Sequence, residues 1–138
     1  MPVNGDVLKA RISDLRSTLN ELERLTSKPF NELSIDERYS MRYNIVVLAE
    51  SLVSLCMHVA VEAYGRTPES YRDAVRIVAE RIGVTCLSDL ESLIGLRNLL
   101  IHRYWVVEDE KVYKAAKANF RCILELAGKV EGAFEVGD

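Results

Sequence analysis

The stretch Ser34–Gly65, SIDERYSMRYNIVVLAESLVSLCMHVAVEAYG, decides the fold. Ser34-Ile35-Asp36-Glu37 has the form of a capping box, in which the serine hydroxyl accepts from the Glu37 amide and the glutamate reaches back. No proline or glycine interrupts the run until Gly65, which suits the left-handed position past a helix end. One long helix to about Tyr64 is therefore expected. Its segment Ile45–Ala63 is apolar over nearly the ~20 residues that a membrane span needs. Glu50, His58 and Glu62 lie inside it, however, and charges at that depth are expensive. The central helix of a bundle fits better than a membrane span. An apolar circumference this wide exceeds what four neighbours cover, which points to a homodimer.

Helical spacing continues on both sides of this segment. A first helix over 5–26 aligns Val7, Leu8, Ile12, Leu15, Leu19, Leu22 and Leu25, and stops before Pro29 because the residue preceding a proline is pushed out of the α region. A third is expected from Thr67-Pro68-Glu69 to Gly83, with Thr67 as cap and Pro68 in the first turn. A fourth opens on a second box, Ser88-Asp89-Leu90-Glu91, and runs towards Arg97. A fifth follows the acidic run Glu108-Asp109-Glu110, which suits a positive helix start, and reaches about Phe134. The expectation is an all-α antiparallel bundle of four to five helices, one domain over 1–138.

Composition bounds the function. The chain has 138 residues, 18 Lys+Arg against 21 Asp+Glu, a net charge of −3 and a pI near 5.5. Domains that coat nucleic acid by bulk charge are strongly basic, so any such chemistry must come from a local site. Seven glycines and three prolines leave too few turn signals for a sandwich or barrel. The N-terminus lacks a basic region followed by an apolar one, so no secretory signal is read. Cys56, Cys86 and Cys122 form an odd, widely spaced set. That argues against a disulfide framework or a cysteine zinc site, and for a reducing, cytoplasmic setting. Cys56 and Cys122 read as core, and Cys86 as a loop or helix-start residue.

Two groups of polar residues stand where apolar ones belong. At about 100° per residue, Leu90, Leu93, Ile94, Leu100 and Ile101 all fall within about 60° of Arg97. A guanidinium cannot shed its charge, so it needs a partner there. One reading is a structural ion pair with Glu50 or Glu62; the other is an anion site, because Arg presents a planar fork of donors to phosphate. His102 is suited to proton exchange near neutral pH, but on an ideal helix it diverges from Arg97 by about 140°. Either the helix loosens near His102, so that Arg97, Asn98 and His102 border one notch, or the two converge across a symmetric dimer. The second group, Glu50, Ser54, His58 and Glu62, recurs every four residues along the long helix. It reads as buried polar groups satisfying one another, or as a ridge orienting the notch. A metal on His58 and Glu62 would need a second such pair on another helix, and none is present, so no metal is expected. Gly-rich phosphate loops, H-E-x-x-H and G-x-S-x-G are missing as well. Trp105 could stack on a base, but packing near a helix end is the reading preferred; Tyr104 on its own reads as a core or interface residue.

Arg97-Asn98-Leu99-Leu100-Ile101-His102-Arg103-Tyr104 resembles the signature of the HEPN superfamily, and R-x4-H-x-Y resembles its HepT branch. Thr67-Pro68-Glu69-Ser70-Tyr71 and Cys56-Met57-His58 are similar to that branch too. The resemblance implies an all-helical, dimeric, metal-independent endoribonuclease, the toxin of a toxin–antitoxin pair, with no cofactor. Arg97 would hold the scissile phosphate, His102 would act as general acid or base for attack by a ribose 2′-hydroxyl, and Asn98 would support the geometry. Arg103 would contact RNA, and Glu50, Ser54 and His58 would stand behind the site. Relatives carry an acidic residue four positions before the second-helix histidine, where this chain has Ser54. The implied partner is an MNT-type nucleotidyltransferase antitoxin that attaches AMP to Tyr104. The alternative is a non-catalytic helical adaptor or binding subunit for a nucleotidyltransferase.

Overall fold

In the computed structural model, residues 3–118 and 120–134 are described, with Phe120 placed by its backbone only. Six α-helices follow in chain order: α1 (Gly5–Thr26), α2 (Ile35–Glu62), α3 (Tyr71–Ile82), α4 (Leu87–His102), α5 (Asp109–Ala118) and α6 (Phe120–Phe134). Two single 3-10 turns, Phe30–Glu32 and Tyr104–Val106, join α1 to α2 and α4 to α5. The protein is an all-α antiparallel bundle.

The capping box of α2 is formed in both directions: Glu37 N–H donates to Ser34 Oγ at 3.1 Å, and Ser34 N–H donates to Glu37 Oε1 at 2.9 Å. Lys28 Nζ adds a bond to Glu37 Oε2 at 2.9 Å, and the Ser34 amide and the Lys28 ammonium hold the Glu37 carboxyl well below its usual range, at about 2. At the other end, Gly65 takes φ 62° and Arg66 N–H reaches the Ala60 carbonyl. Between these ends α2 packs against α1, α3, α4 and α5. By length and composition it could cross a membrane, yet 56% of its most apolar window is buried within the bundle. Leu48, Leu52, Leu55 and Cys56 are inaccessible, and burial pushes the Cys56 thiol upward. Four helices of the same chain cover much of its circumference, and the apolar residues of α2 left exposed are Ile35, Tyr39 and Tyr43 near its start and Val61 near its end.

The starts of two helices and the pairing of the cysteines depart from expectation. α3 begins at Tyr71, not at Pro68. Ser70 caps it by accepting from Asp73 N–H at 3.0 Å, while the Asp73 carboxylate turns back to accept from Glu69 N–H at 2.9 Å. That reciprocal pair outcompetes Thr67 and leaves Pro68 in the connection. α4 begins at Leu87, with Cys86 as its N-terminal flank, so Ser88 lies inside the first turn and its box does not form. The helical backbone expected after Glu108 is described on both sides of position 119, as α5 and α6, and reaches Phe134; position 119 itself lies outside the described residues. Lastly, Cys86 and Cys122 are joined as a disulfide, which corrects the reading of unpaired cysteines. Their sequence separation of 36 gave no hint that the start of α4 packs beside the start of α6. Cys56 remains free and buried.

Candidate functional site

α4 carries the site and also closes the core. Leu90, Leu93, Ile94 and Leu100 are buried, and Arg97 lies on the same stripe with its side chain only 15% exposed. Glu50 of α2 meets it. Arg97 Nε and Nη2 donate to Glu50 Oε1 at 2.9 and 2.5 Å, and Nη1 donates to Asn98 Oδ1 at 2.9 Å. The guanidinium also lies 4.8 Å over the ring of Tyr71, whose hydroxyl donates to Glu50 Oε2 at 3.3 Å. A charge on an apolar stripe is thereby matched by a carboxylate, an amide and an aromatic face, three of the means by which a covered guanidinium is stabilised. Glu62 takes no part; of the two partners open to Arg97, the structure selects Glu50.

Two of the five guanidinium N–H groups remain free of this network. Arg97 and Asn98 border an open pocket of about 310 Å³, lined also by Ser70, Tyr71, Arg72 and Ile94. Tyr71 was not singled out as a site residue in the sequence. As the first residue of α3 it looks like an ordinary core position, and only packing against α2 brings it to Glu50. Ser54 and His58, by contrast, do not join Arg97. Ser54 makes no side-chain hydrogen bond among the described residues, and His58 Nε2 is buried without a partner. The four-residue ridge therefore reaches the site through Glu50 alone. Among the described residues no group of three or more His, Cys, Asp or Glu is arranged to hold a metal ion.

α4 stays helical through His102 and ends at Arg103, where φ −145° and ψ 46° leave the helix. The helix does not loosen early, so Arg97 and His102 diverge within one chain. His102 and Arg103 are exposed, as are Leu99 and Ile101. Beyond them the chain turns through Tyr104–Val106. Arg42 of α2 clamps this turn: Nη1 donates to the Tyr104 carbonyl at 2.9 Å, Nη2 to the Val107 carbonyl at 2.5 Å and Nε to Asp109 Oδ1 at 2.5 Å. The clamp holds Tyr104 62% exposed and Trp105 69% exposed, their rings edge to face at 5.4 Å. Both aromatics face solvent, which corrects the packed position expected for Trp105 and the core reading of Tyr104. Exposed Tyr39 and Tyr43 line the same apolar groove, of about 560 Å³.

Comparison with known proteins agrees with this architecture. No curated protein matches the chain in sequence. Two solved structures share its fold: a chain of the "toxin-antitoxin with AMP-PNP" at 15% identity and TM-score 0.80, and one of a mutant "toxin-antitoxin MntA-HpeT" at 15% identity and TM-score 0.77. Each alignment covers 92% of this chain and 98% of the other. A family model described as "Ribonuclease HepT-like" matches residues 9–130, a span that includes Glu50, Tyr71, Arg97, Asn98, His102 and Tyr104. The chain belongs to the HepT-like ribonuclease family.

Proposed function

We propose that this protein is a metal-independent endoribonuclease, the toxin subunit of a toxin–antitoxin pair. The observation that carries this reading is Arg97, a largely covered cation that is fixed by Glu50 and Asn98, keeps two N–H groups uncommitted and lines an open pocket. A donor held rigid before the reaction stabilises the charge that develops on phosphate oxygens without reorganising. The ribose 2′-oxygen attacks the adjacent phosphorus, the 5′-oxygen leaves, and a cyclic 2′,3′-phosphate and a 5′-hydroxyl result. His102 moves the proton at the 2′- or 5′-oxygen, Asn98 keeps Arg97 in register, and Arg103 meets the RNA backbone. The need for a 2′-hydroxyl restricts the substrate to RNA.

Because His102 and Arg97 diverge on α4, the acid–base group comes from a second copy. A two-fold pairing across the Asn98–Leu99–His102 side of α4, where Leu99 and His102 are exposed, would set the His102 of each copy beside the Arg97 of the other. The neutralising partner is an MNT-type nucleotidyltransferase. Tyr104 has an exposed side chain whose hydroxyl makes no hydrogen bond among the described residues. In the modification its oxygen attacks the α-phosphorus of ATP, pyrophosphate leaves, and AMP stays on the ring. The new phosphate would compete for the cations of the site and block RNA.

The test is cleavage of RNA in the presence of EDTA by the wild type and by Arg97→Ala and His102→Ala. Wild-type cleavage should persist, and each variant should lose it while keeping its helical content and oligomeric state. Refolding the two variants together should restore part of the activity, since a mixed pair holds one Arg97 opposite one His102. Retained cleavage in His102→Ala would remove the acid–base role. A folded wild type that neither cleaves RNA nor arrests growth would point to the non-catalytic adaptor. Co-expression with the nucleotidyltransferase should add AMP to the wild type and not to Tyr104→Phe.

A further inference from the structure

Arg72, on the first turn of α3, lines the same pocket as Arg97 and Asn98. The two arginines differ in how much of their hydrogen-bonding capacity is used. Arg97 has three N–H groups committed to Glu50 and Asn98, whereas the side chain of Arg72 makes no ion pair and no hydrogen bond among the described residues. Its neighbours Asp73 and Glu50 are both engaged, Asp73 with Arg76 and the Glu69 amide, Glu50 with Arg97 and Tyr71. Arg16 is tied to Glu131, Arg24 to Glu21, Arg42 to Asp109 and Arg76 to Asp73, whereas, among the described residues, Arg72 shares its unpaired state with residues such as Arg103 and Arg121 that do not line this pocket.

The backbone of α4 makes room for this free cation. Gly95 lies within the helix, where glycine costs about 1 kcal/mol relative to alanine. A Cβ there would stand 2.9 Å from Arg72 Nη2, so the missing side chain is what lets the guanidinium lie across α4 one half-turn before Arg97. An interior glycine that weakens its helix and a cation without a counter-ion meet at one point, and that cation lines the candidate site.

The geometry points to Arg72 as a phosphate-binding residue of the ribonuclease site, gripping the RNA phosphate next to the one held by Arg97, with Gly95 as the notch that admits it. This rests on the ribonuclease reading above. Arg97, fixed and mostly shielded, is suited to the reacting phosphate. Arg72, exposed and unpaired, is suited to binding and register, so its loss should raise KM and leave kcat nearly unchanged.

The experiment uses the full chain and two RNAs of one sequence, a cleavable single strand and its 2′-O-methyl analogue, which lacks the nucleophile. For Arg72→Gln we expect KM and the Kd of the analogue to rise about tenfold at low salt, the difference shrinking as salt screens the contact. The slope of log Kd against log salt should flatten by about 0.7, the value of one phosphate contact on a single strand. Arg72→Lys should recover most of the slope. Gly95→Ala, which favours the helix and displaces only the end of the Arg72 side chain, should copy Arg72→Gln in weaker form without loss of thermal stability. A wild type that cleaves RNA while Arg72→Gln keeps its KM and salt slope overturns the assignment and leaves the ribonuclease reading intact. A fall in kcat alone overturns it too, since Arg72 would then act on the reaction and not on binding. A wild type that neither binds the analogue nor cleaves RNA overturns the function itself and this role with it.

Discussion

Glu50→Ala is the most informative perturbation of the site, because it asks whether the pair with Arg97 stabilises the fold. The ion pair is neither exposed nor buried: Arg97 is 15% and Glu50 40% exposed. Exposed pairs contribute at most ~1 kcal/mol, whereas removing one partner of a fully buried pair costs ~3–5 kcal/mol. The alanine variant deletes two charge-assisted bonds and the acceptor of the Tyr71 hydroxyl, and leaves a shielded guanidinium without a carboxylate. Exposure of Glu50 pulls the value down from the buried limit, so we expect a loss of about 2 kcal/mol, or roughly 6–8 °C in Tm for a chain of this size. Arg97→Ala should cost less, about 1 kcal/mol, because the freed Glu50 hydrates readily. The double variant should then fall short of the sum by about 1 kcal/mol or more. Urea unfolding followed by helical circular dichroism, at one protein concentration so that any self-association is held constant, measures all four corners of the cycle. Additivity within about 0.5 kcal/mol, or a Glu50→Ala variant as stable as the wild type, would refute the reasoning.

The capping box gives a pH signature. Glu37 is held at about 2 when folded and near its ordinary value when unfolded, so its stabilisation is complete above the unfolded pKa and is lost as pH falls towards 2. Glu37→Gln should flatten the acid limb of stability between about pH 5 and pH 2, which thermal melts across that range would detect. Cys86→Ser should lower stability by up to about 4 kcal/mol, the chain-entropy value for a loop of this span, and the same loss should follow addition of reductant to the wild type but not to the variant. Cys56, inaccessible in the core, should react with a thiol reagent only at the rate of unfolding, as read by mass spectrometry. Arg42→Ala should release the Tyr104–Val107 turn from α2, and faster amide hydrogen exchange at residues 104–107, with α4 unchanged, is the expected outcome.

What was legible in the sequence is what local chemistry decides. The Ser34–Glu37 box and the Gly65 stop depend on residues a few positions apart, and both ends of α2 formed as read. Arg97 was visible as a misfit because periodicity alone puts it among Leu90, Leu93, Ile94 and Leu100. Its partner was narrowed only to Glu50 or Glu62, since both lie on one long helix and the crossing of α2 over α4 decides between them. Tyr71, Arg72 and Arg42 carried no sequence signal. Each acts through a neighbour more than twenty positions away, so its role exists only after packing. The start of α3 was misread for a local reason: Thr67-Pro68 and Ser70-x-x-Asp73 are both good starts, and the second satisfies one more amide.

The net charge of −3 and a cationic site are reconciled by where the carboxylates are used. Glu50 faces Arg97, Asp109 faces Arg42, Asp73 faces Arg76, and Glu131 faces Arg16. Each pair is close enough to cancel over a distance shorter than the ~8 Å screening length at physiological ionic strength. An approaching polyanion therefore meets no broad positive field of the kind that steers ligands from afar. It meets instead scattered cations without a carboxylate partner among the described residues, Arg72 and Arg103 among them, on a body of net charge −3. On the roles proposed for Arg72 and Arg97, binding to such a surface is decided at contact range, where the spacing of two phosphates along a flexible strand has to match the spacing of two arginines on adjacent helices. A body that repels most of a polyanion and accepts it at one spacing gains selectivity from the same acidic residues that lower its overall affinity.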